Sequence, residues 1–158
     1  MIQRIQTVYL ALAVIALGLL FAFPLAQFFA ENGAYVLSIT GLKNMVPGGE
    51  NPFPYLIFLP LSIVTVCAAI LAMVSLLQYK NRSLQIRLTN IGVLIIIFLI
   101  LGIFFFYIPL IEKKISIVPD YTKVLGIYMP LIALVGFVLA NRAIKRDDRL
   151  VRSADRLR

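Results

Sequence analysis

The stretch "LTNIGVLIIIFLILGIFFFYIPLI", residues 88–111, runs for 24 positions without a charged side chain. A helix needs about 20 mainly apolar residues to cross the hydrocarbon core of a bilayer, so this stretch alone argues for a membrane span. The rest of the chain agrees. Of its 158 residues 61% are hydrophobic and only 14% charged, and the mean hydropathy is +0.97, outside the usual range of soluble domains. Three more charge-free stretches, residues 5–30, 51–79 and 124–141, are long enough or nearly so. They predict spans at about 5–28, 54–79, 88–111 and 124–142 in one integral membrane domain covering 1–158, with a helical tail at 143–158. The fold class expected is therefore an all-α transmembrane four-helix bundle. The first run follows Arg4 in the manner of a secretory signal, but its 26 residues exceed the roughly 7–15 of a signal's apolar core.

Orientation follows from the basic residues, which gather on the cytoplasmic side of a membrane protein. Arg4, then Lys80, Arg82 and Arg87 between spans two and three, then Arg142, Lys145, Arg146, Arg149, Arg152, Arg156 and Arg158 in the tail put eleven on one side; Lys43, Lys113, Lys114 and Lys123 put four on the other. Both termini are expected to be cytoplasmic, in a bacterial inner membrane. The net charge of +8 is thus accounted for largely by topology.

The outer connections carry strand signals. Tyr35, Leu37 and Ile39 alternate with Val36, Ser38 and Thr40, and Ile115 and Ile117 alternate with Ser116 and Val118, the period of a half-buried strand. Gly48, Gly49, Pro52 and Pro54 supply turn chemistry before span two. A small outer β-sheet is expected, and with so few residues it must rest on the helices.

No Asp, Glu, Lys or Arg lies deep in any span, which counts against a pump or ion-coupled transporter. Small residues recur at helical spacing: Ser62, Thr65, Ala69, Ala72 and Ser75 in span two, and Ala133, Gly136, Ala140 and Ala143 in span four. Such stripes let helix backbones approach closely, so they are read as helix-packing faces. Thr89 and Asn90 are placed to hydrogen-bond a neighbouring helix. Cys67, the single cysteine, is expected to be a buried, inert thiol. Pro24, Pro60, Pro109 and Pro130 fall one to each span; within a helix interior each opens a kink in the outer half. The plainer reading, that proline is common near helix ends and in membrane helices, is favoured. Aromatic residues gather toward the same outer boundary.

Beyond Asn141 a helical period continues, with Ala143, Ile144, Leu150, Val151, Ala154 and Leu157 broadly on one side. Asp147 is out of reach of Arg149 across a turn, whereas Asp148 with Arg152 and Asp155 with Arg158 stand at pairing distance with the acid first. The basic residues of this segment, Arg142, Lys145, Arg146, Arg149, Arg152, Arg156 and Arg158, are the candidate partner-docking surface.

The terminal segments "MIQRIQTVYLAL" and "LANRAIKRDDRLVRSADRLR" resemble a family of small four-span membrane proteins of Bacteroidota, catalogued as a domain of unknown function. The resemblance implies an inner-membrane four-helix protein and no activity. In shape alone, four spans with an outer sheet are similar to claudin-like proteins, whose Trp-Gly-Leu-Trp motif and paired outer cysteines are absent here.

With no histidine, no outer cysteine and no nucleotide loop, the acid–base candidates in the outer loops reduce to Glu31, Glu50, Glu112 and Asp120. No catalytic, cofactor-binding or metal site is expected, and the protein is read as no enzyme. The expected function is a non-catalytic subunit or assembly factor of a larger inner-membrane complex. The expected partners are membrane lipids and an integral membrane protein, with protein-export machinery one candidate and contact with ribosomal RNA a minor variant, since no aromatic residue interleaves the tail's arginines. The alternative is a carrier of a lipid or small hydrophobic molecule between Pro-kinked outer helix ends.

Overall fold

The computed structural model describes residues 3–30, 33–46, 51–79, 81–115 and 121–156. Five helices and four strands follow in the order α1 (Gln3–Leu19), β1 (Ala26–Ala30), β2 (Gly33–Ser38), β3 (Gly41–Asn44), α2 (Leu59–Leu77), α3 (Arg82–Leu101), α4 (Ile108–Ile115), β4 (Tyr121–Lys123) and α5 (Met129–Arg156). A π-helical turn, Gly102–Tyr107, joins α3 to α4, so Arg82–Ile115 is one 34-residue helical rod. α2, this rod and α5 are long and apolar enough to cross a membrane, with mean hydropathies of 2.4, 3.1 and 1.8 in their most apolar windows; α1 is a shorter apolar helix.

Span one is shorter than predicted. The helix ends at Leu19, the chain turns through residues 20–25, and the remainder of the apolar run becomes β1. Pro24 stands in that turn, where its fixed φ and missing N–H bar further helix. An apolar run cannot by itself distinguish a helix from a buried strand, and β1 is buried: Ala26 and Phe28 have no exposed surface.

The four strands form an antiparallel sheet in the order β3-β2-β1-β4. The first predicted strand is β2. The second is displaced: Lys113, Lys114 and Ile115 end α4, Ser116, Ile117 and Val118 lie outside the described residues, and β4 begins at Tyr121. The turn at Gly48 and Gly49 also lies outside them. The sheet does rest on the helices. Leu37, Ile39 and Leu42 are buried beneath it with Phe53 and Phe58. Ser62 Oγ on α2 donates to the Ile39 carbonyl at 2.8 Å, and Tyr107 OH to that of Ile57 at 3.0 Å. The Phe58 ring stacks on Tyr107 with centroids 5.6 Å apart.

The prolines do not kink four spans. Pro24 is in a turn, Pro60 lies in the first turn of α2 and Pro130 is the second residue of α5, positions whose N–H needs no intrahelical partner. Pro130 is preceded by a 3-10 turn, Leu125–Tyr128, and Pro109 by continuous helix whose last turn is widened: Ile108 N–H donates to the Ile103 carbonyl, five residues back. A proline ring crowds the carbonyl four residues before it, and a π turn relieves that crowding. At this end the helices meet the sheet and the buried aromatic residues.

The helices are sorted by side-chain size. α1 lies against α5 and α2, and α3 against α2 and α5. A Cβ on Gly136 of α5 would stand 2.9 Å from the Tyr9 carbonyl oxygen and 3.2 Å from Ala13 Cβ of α1. Ala133 and Ala140, one turn either side, are wholly buried. Gly92 on α3 makes room for Phe137, whose ring a Cβ there would overlap. At the sheet end Gly126 N–H donates to the Pro24 carbonyl at 3.1 Å, and β1 pairs β4 there, Phe28 opposite Tyr121. The exit of α1 and the start of α5 are thus pinned together.

Gly92→Ala is expected to destabilise the detergent-solubilised protein by about 2 kcal/mol through overpacking. Phe137→Leu in the same chain is expected to recover part of that loss, measured by thermal or denaturant unfolding; strictly additive losses would show that the two residues do not share the contact.

Candidate functional site

At the end of the bundle opposite the sheet, polar side chains turn inward. Asn141 of α5, 6% exposed, donates through Nδ2 to Thr89 Oγ1 at 2.9 Å and to Asn90 Oδ1 at 2.6 Å on α3. Thr89 in turn points its hydroxyl to the carbonyls of Gln85 and Ile86, at 2.9 and 3.0 Å. Gln85 Nε2 donates to the Ser75 carbonyl at 3.0 Å, tying α3 to α2. The pairing expected of Thr89 and Asn90 therefore exists, with α5 as the partner helix. In an apolar surrounding such bonds fix register, because a misaligned helix would leave amides unsatisfied.

This layer is incompletely satisfied. Gln6 Oε1, Ser75 Oγ, Gln85 Oε1 and Asp147 Oδ1 are buried without a hydrogen-bond partner. Asp147 is the residue that sequence reasoning missed. It is only 6% exposed, although the sequence reading sets the Arg and Asp residues of the helical tail off its apolar side. Ala133, Phe137, Ala140 and Ile144 are buried at alternating spacings of four and three, and Asp147 is the next position of that stripe. Following the buried stripe of the span one step past Ile144 would have placed the carboxylate inside.

The helix-packing positions divide by depth. Thr65, Ala72, Ala133, Gly136 and Ala140 are buried within the chain; Ser62, Ala69 and Ala143 are half-buried. The buried stripe of α2 runs through Leu61, Thr65, Ala68, Ala72 and Ser75. That phase turns Cys67 outward: it is exposed, not buried as expected.

The docking candidates Arg142, Lys145, Arg146 and Arg149 are all exposed on α5. The side chains of Arg152 and Arg156, and all of Arg158, lie outside the described residues, as do the predicted pairings of Asp148 with Arg152 and Asp155 with Arg158. The predicted apolar side of the tail is split: Ile144 is buried, while Leu150 and Val151 are 50% and 42% exposed. Two concavities border this face. One of about 470 Å³ lies between α1 and α5, walled by Ile5, Tyr9 and Leu139 with Arg142, Arg146 and Asp147. The other, about 520 Å³, is an open depression along α5 that shares Arg142 and Arg146 and continues past Arg149 and Leu150.

Of the acid–base candidates, Glu112 is half-buried in α4, and Glu31, Glu50 and Asp120 lie outside the described residues. Among the described residues no group of three or more His, Cys, Asp or Glu is disposed to hold a metal ion.

A mostly helical chain with three membrane-length apolar helices, a small sheet and a basic helical end is of the membrane-protein class. The sequence matches the family described as Domain of unknown function (DUF4293) over residues 2–157, nearly its whole length, and the chain belongs to that family. No curated protein matches it.

Asn141→Ala is expected to lower stability by about 1 kcal/mol. Adding Asn90→Ala should then cost little more, because the shared bond is already gone. A double-mutant cycle in detergent would contradict the clasp if the two losses were fully additive.

Proposed function

We propose that the chain is a four-span inner-membrane protein of Bacteroidota with both termini cytoplasmic, and that it serves as a non-catalytic subunit or assembly factor of a larger membrane complex, docking its partner through the basic end of α5. The single observation that carries this reading is that α5 continues as one helix to Arg156, past the bundle, with Arg142, Lys145, Arg146, Arg149, Leu150 and Val151 all exposed. A tail needed only for orientation requires no such order. A helix presenting cations beside an apolar strip suits a partner with an acidic, partly apolar surface.

Support for the fourth span comes from the outward face of α1. Ile5, Val8, Leu12 and Ile15 are 45–63% exposed and follow one another at three and four residues, as Ile63, Val66, Ile70, Met73 and Leu77 do on α2. Apolar outer faces of this kind need lipid, and the 17 residues of α1 lie at the short end of the roughly 17–25 that span. The transmembrane small-residue faces contribute to docking only where they stay open, at Ser62 and Ala69, because the α5 stripe is taken up by α1. The basic end suits a protein-export neighbour; its arginines can attract ribosomal RNA only as point charges.

The test is recovery of partners from native membranes in mild detergent. The full chain should carry an integral membrane protein at low salt and lose much of it at high salt, while a chain lacking residues 149–158 should lose it at both. Equal recovery with and without those residues, or a lone monomer from the full chain, contradicts the proposal.

A further inference from the structure

We infer that the groove between α1 and the cationic end of α5 is a binding site for one anionic phospholipid, its phosphate held by Arg142 and Arg146 and an acyl chain laid along Ile5, Tyr9 and Leu139. The inference rests on the membrane placement proposed above and is independent of any protein partner. Three observations meet at this place. Arg142 and Arg146 are exposed and one helical turn apart, so both guanidinium groups reach the same mouth. The wall beneath them is apolar, and the groove's roughly 470 Å³ suits a headgroup and the first part of a chain, not a whole lipid. Its level is the third: the charge-free run of α5 ends at Asn141 and that of α1 begins at Ile5, which is where the phosphate layer of a bilayer meets the hydrocarbon.

The charge pattern selects the headgroup. Asp147 also lines the groove, but with 6% of its surface exposed it forms the floor and leaves the mouth to the arginines. Lys145 and Arg149 continue the cationic surface from Arg142 and Arg146 along the neighbouring depression. A zwitterionic lipid would seat its phosphate only by setting its own cation among four others, whereas an anionic lipid has no such conflict. Arginine's planar fork suits a phosphate bidentately, and basic recesses between helices on the cytoplasmic side are the common form of anionic headgroup sites.

The experiment uses the full chain in non-ionic detergent, with phosphatidylglycerol, phosphatidylcholine and soluble glycerol 3-phosphate as probes, read by native mass spectrometry and thermal stability. Phosphatidylglycerol should bind with one lipid retained and should stabilise the fold. Arg142→Gln with Arg146→Gln should weaken this about thirtyfold, the combined contribution of two interfacial cations. Ala143→Trp, which keeps both cations and fills the groove, should abolish it. Loss of two cations at the sheet end, Lys43→Gln with Lys113→Gln, should leave it unchanged, and circular dichroism checks that each variant is folded. Equal binding of phosphatidylcholine, equal stabilisation by glycerol 3-phosphate, or undiminished binding in the Arg142/Arg146 or the Ala143 variant would each overturn the assignment, and none of these results depends on whether a partner protein is found.

Discussion

The close approach of α1 and α5 at Gly136 is the constraint on which the rest of the structure depends. In lipid, apolar side chains gain nothing by leaving water, so helices associate through van der Waals contact and polar bonds, and small residues set how near the backbones come. Gly136 brings α5 against the Tyr9 carbonyl, and the first and last helices of the chain become neighbours. The sheet reinforces this from outside the bundle, since β4 pairs β1 and Gly126 sits on the Pro24 carbonyl. A larger residue at position 136 would push α5 outward, opening the α1 seam and displacing Asn141 from Thr89.

From that seam the division of labour between the two ends follows. The sheet end has an apolar interior, with Phe28, Phe58 and Ile39 buried and aromatic rings in contact. The opposite end holds the buried polar layer, four unsatisfied polar atoms and the cationic face of α5. Buried polar groups without partners are few in native proteins and tend to mark places kept for something other than stability. Only 28% of the apolar window of α2 and 33% of that of the α3–α4 rod is buried within the protein, so these helices show mostly apolar surface outward. The adhesion proposed above would use these surfaces, lipid on the flanks and a partner at the cationic end.

Much of this was legible in the sequence, and the misreadings have physical causes. Helices long and apolar enough to cross a membrane stand where absence of charge placed spans two, three and four. Span one was drawn too long because β1, with Ala26 and Phe28 buried and Phe29 exposed, carries no charge and continues the apolar run of α1. The effect of the prolines depends on position: Pro60 and Pro130 stand near helix starts, the plainer of the two readings, and at Pro109 a π turn absorbs the crowding. Cys67 and Asp147 were misplaced by helical phase. A shift of one residue exposes the thiol, and one more step of the stripe through Ile144 buries the carboxylate. The groove between α1 and α5 was not legible at all, since its two walls lie at opposite ends of the chain and meet only in the folded structure.

The account stands on four crossings that return both chain ends to one side. Single cysteines at Gln3, Arg82, Ser153 and Lys43, each in a Cys67→Ser chain, can be probed with a membrane-impermeant thiol reagent in intact cells and inverted vesicles. Positions 3, 82 and 153 should react only in inverted vesicles and position 43 only in intact cells. Labelling of 82 and 153 from opposite faces, or of 3 and 43 from the same face, would contradict it.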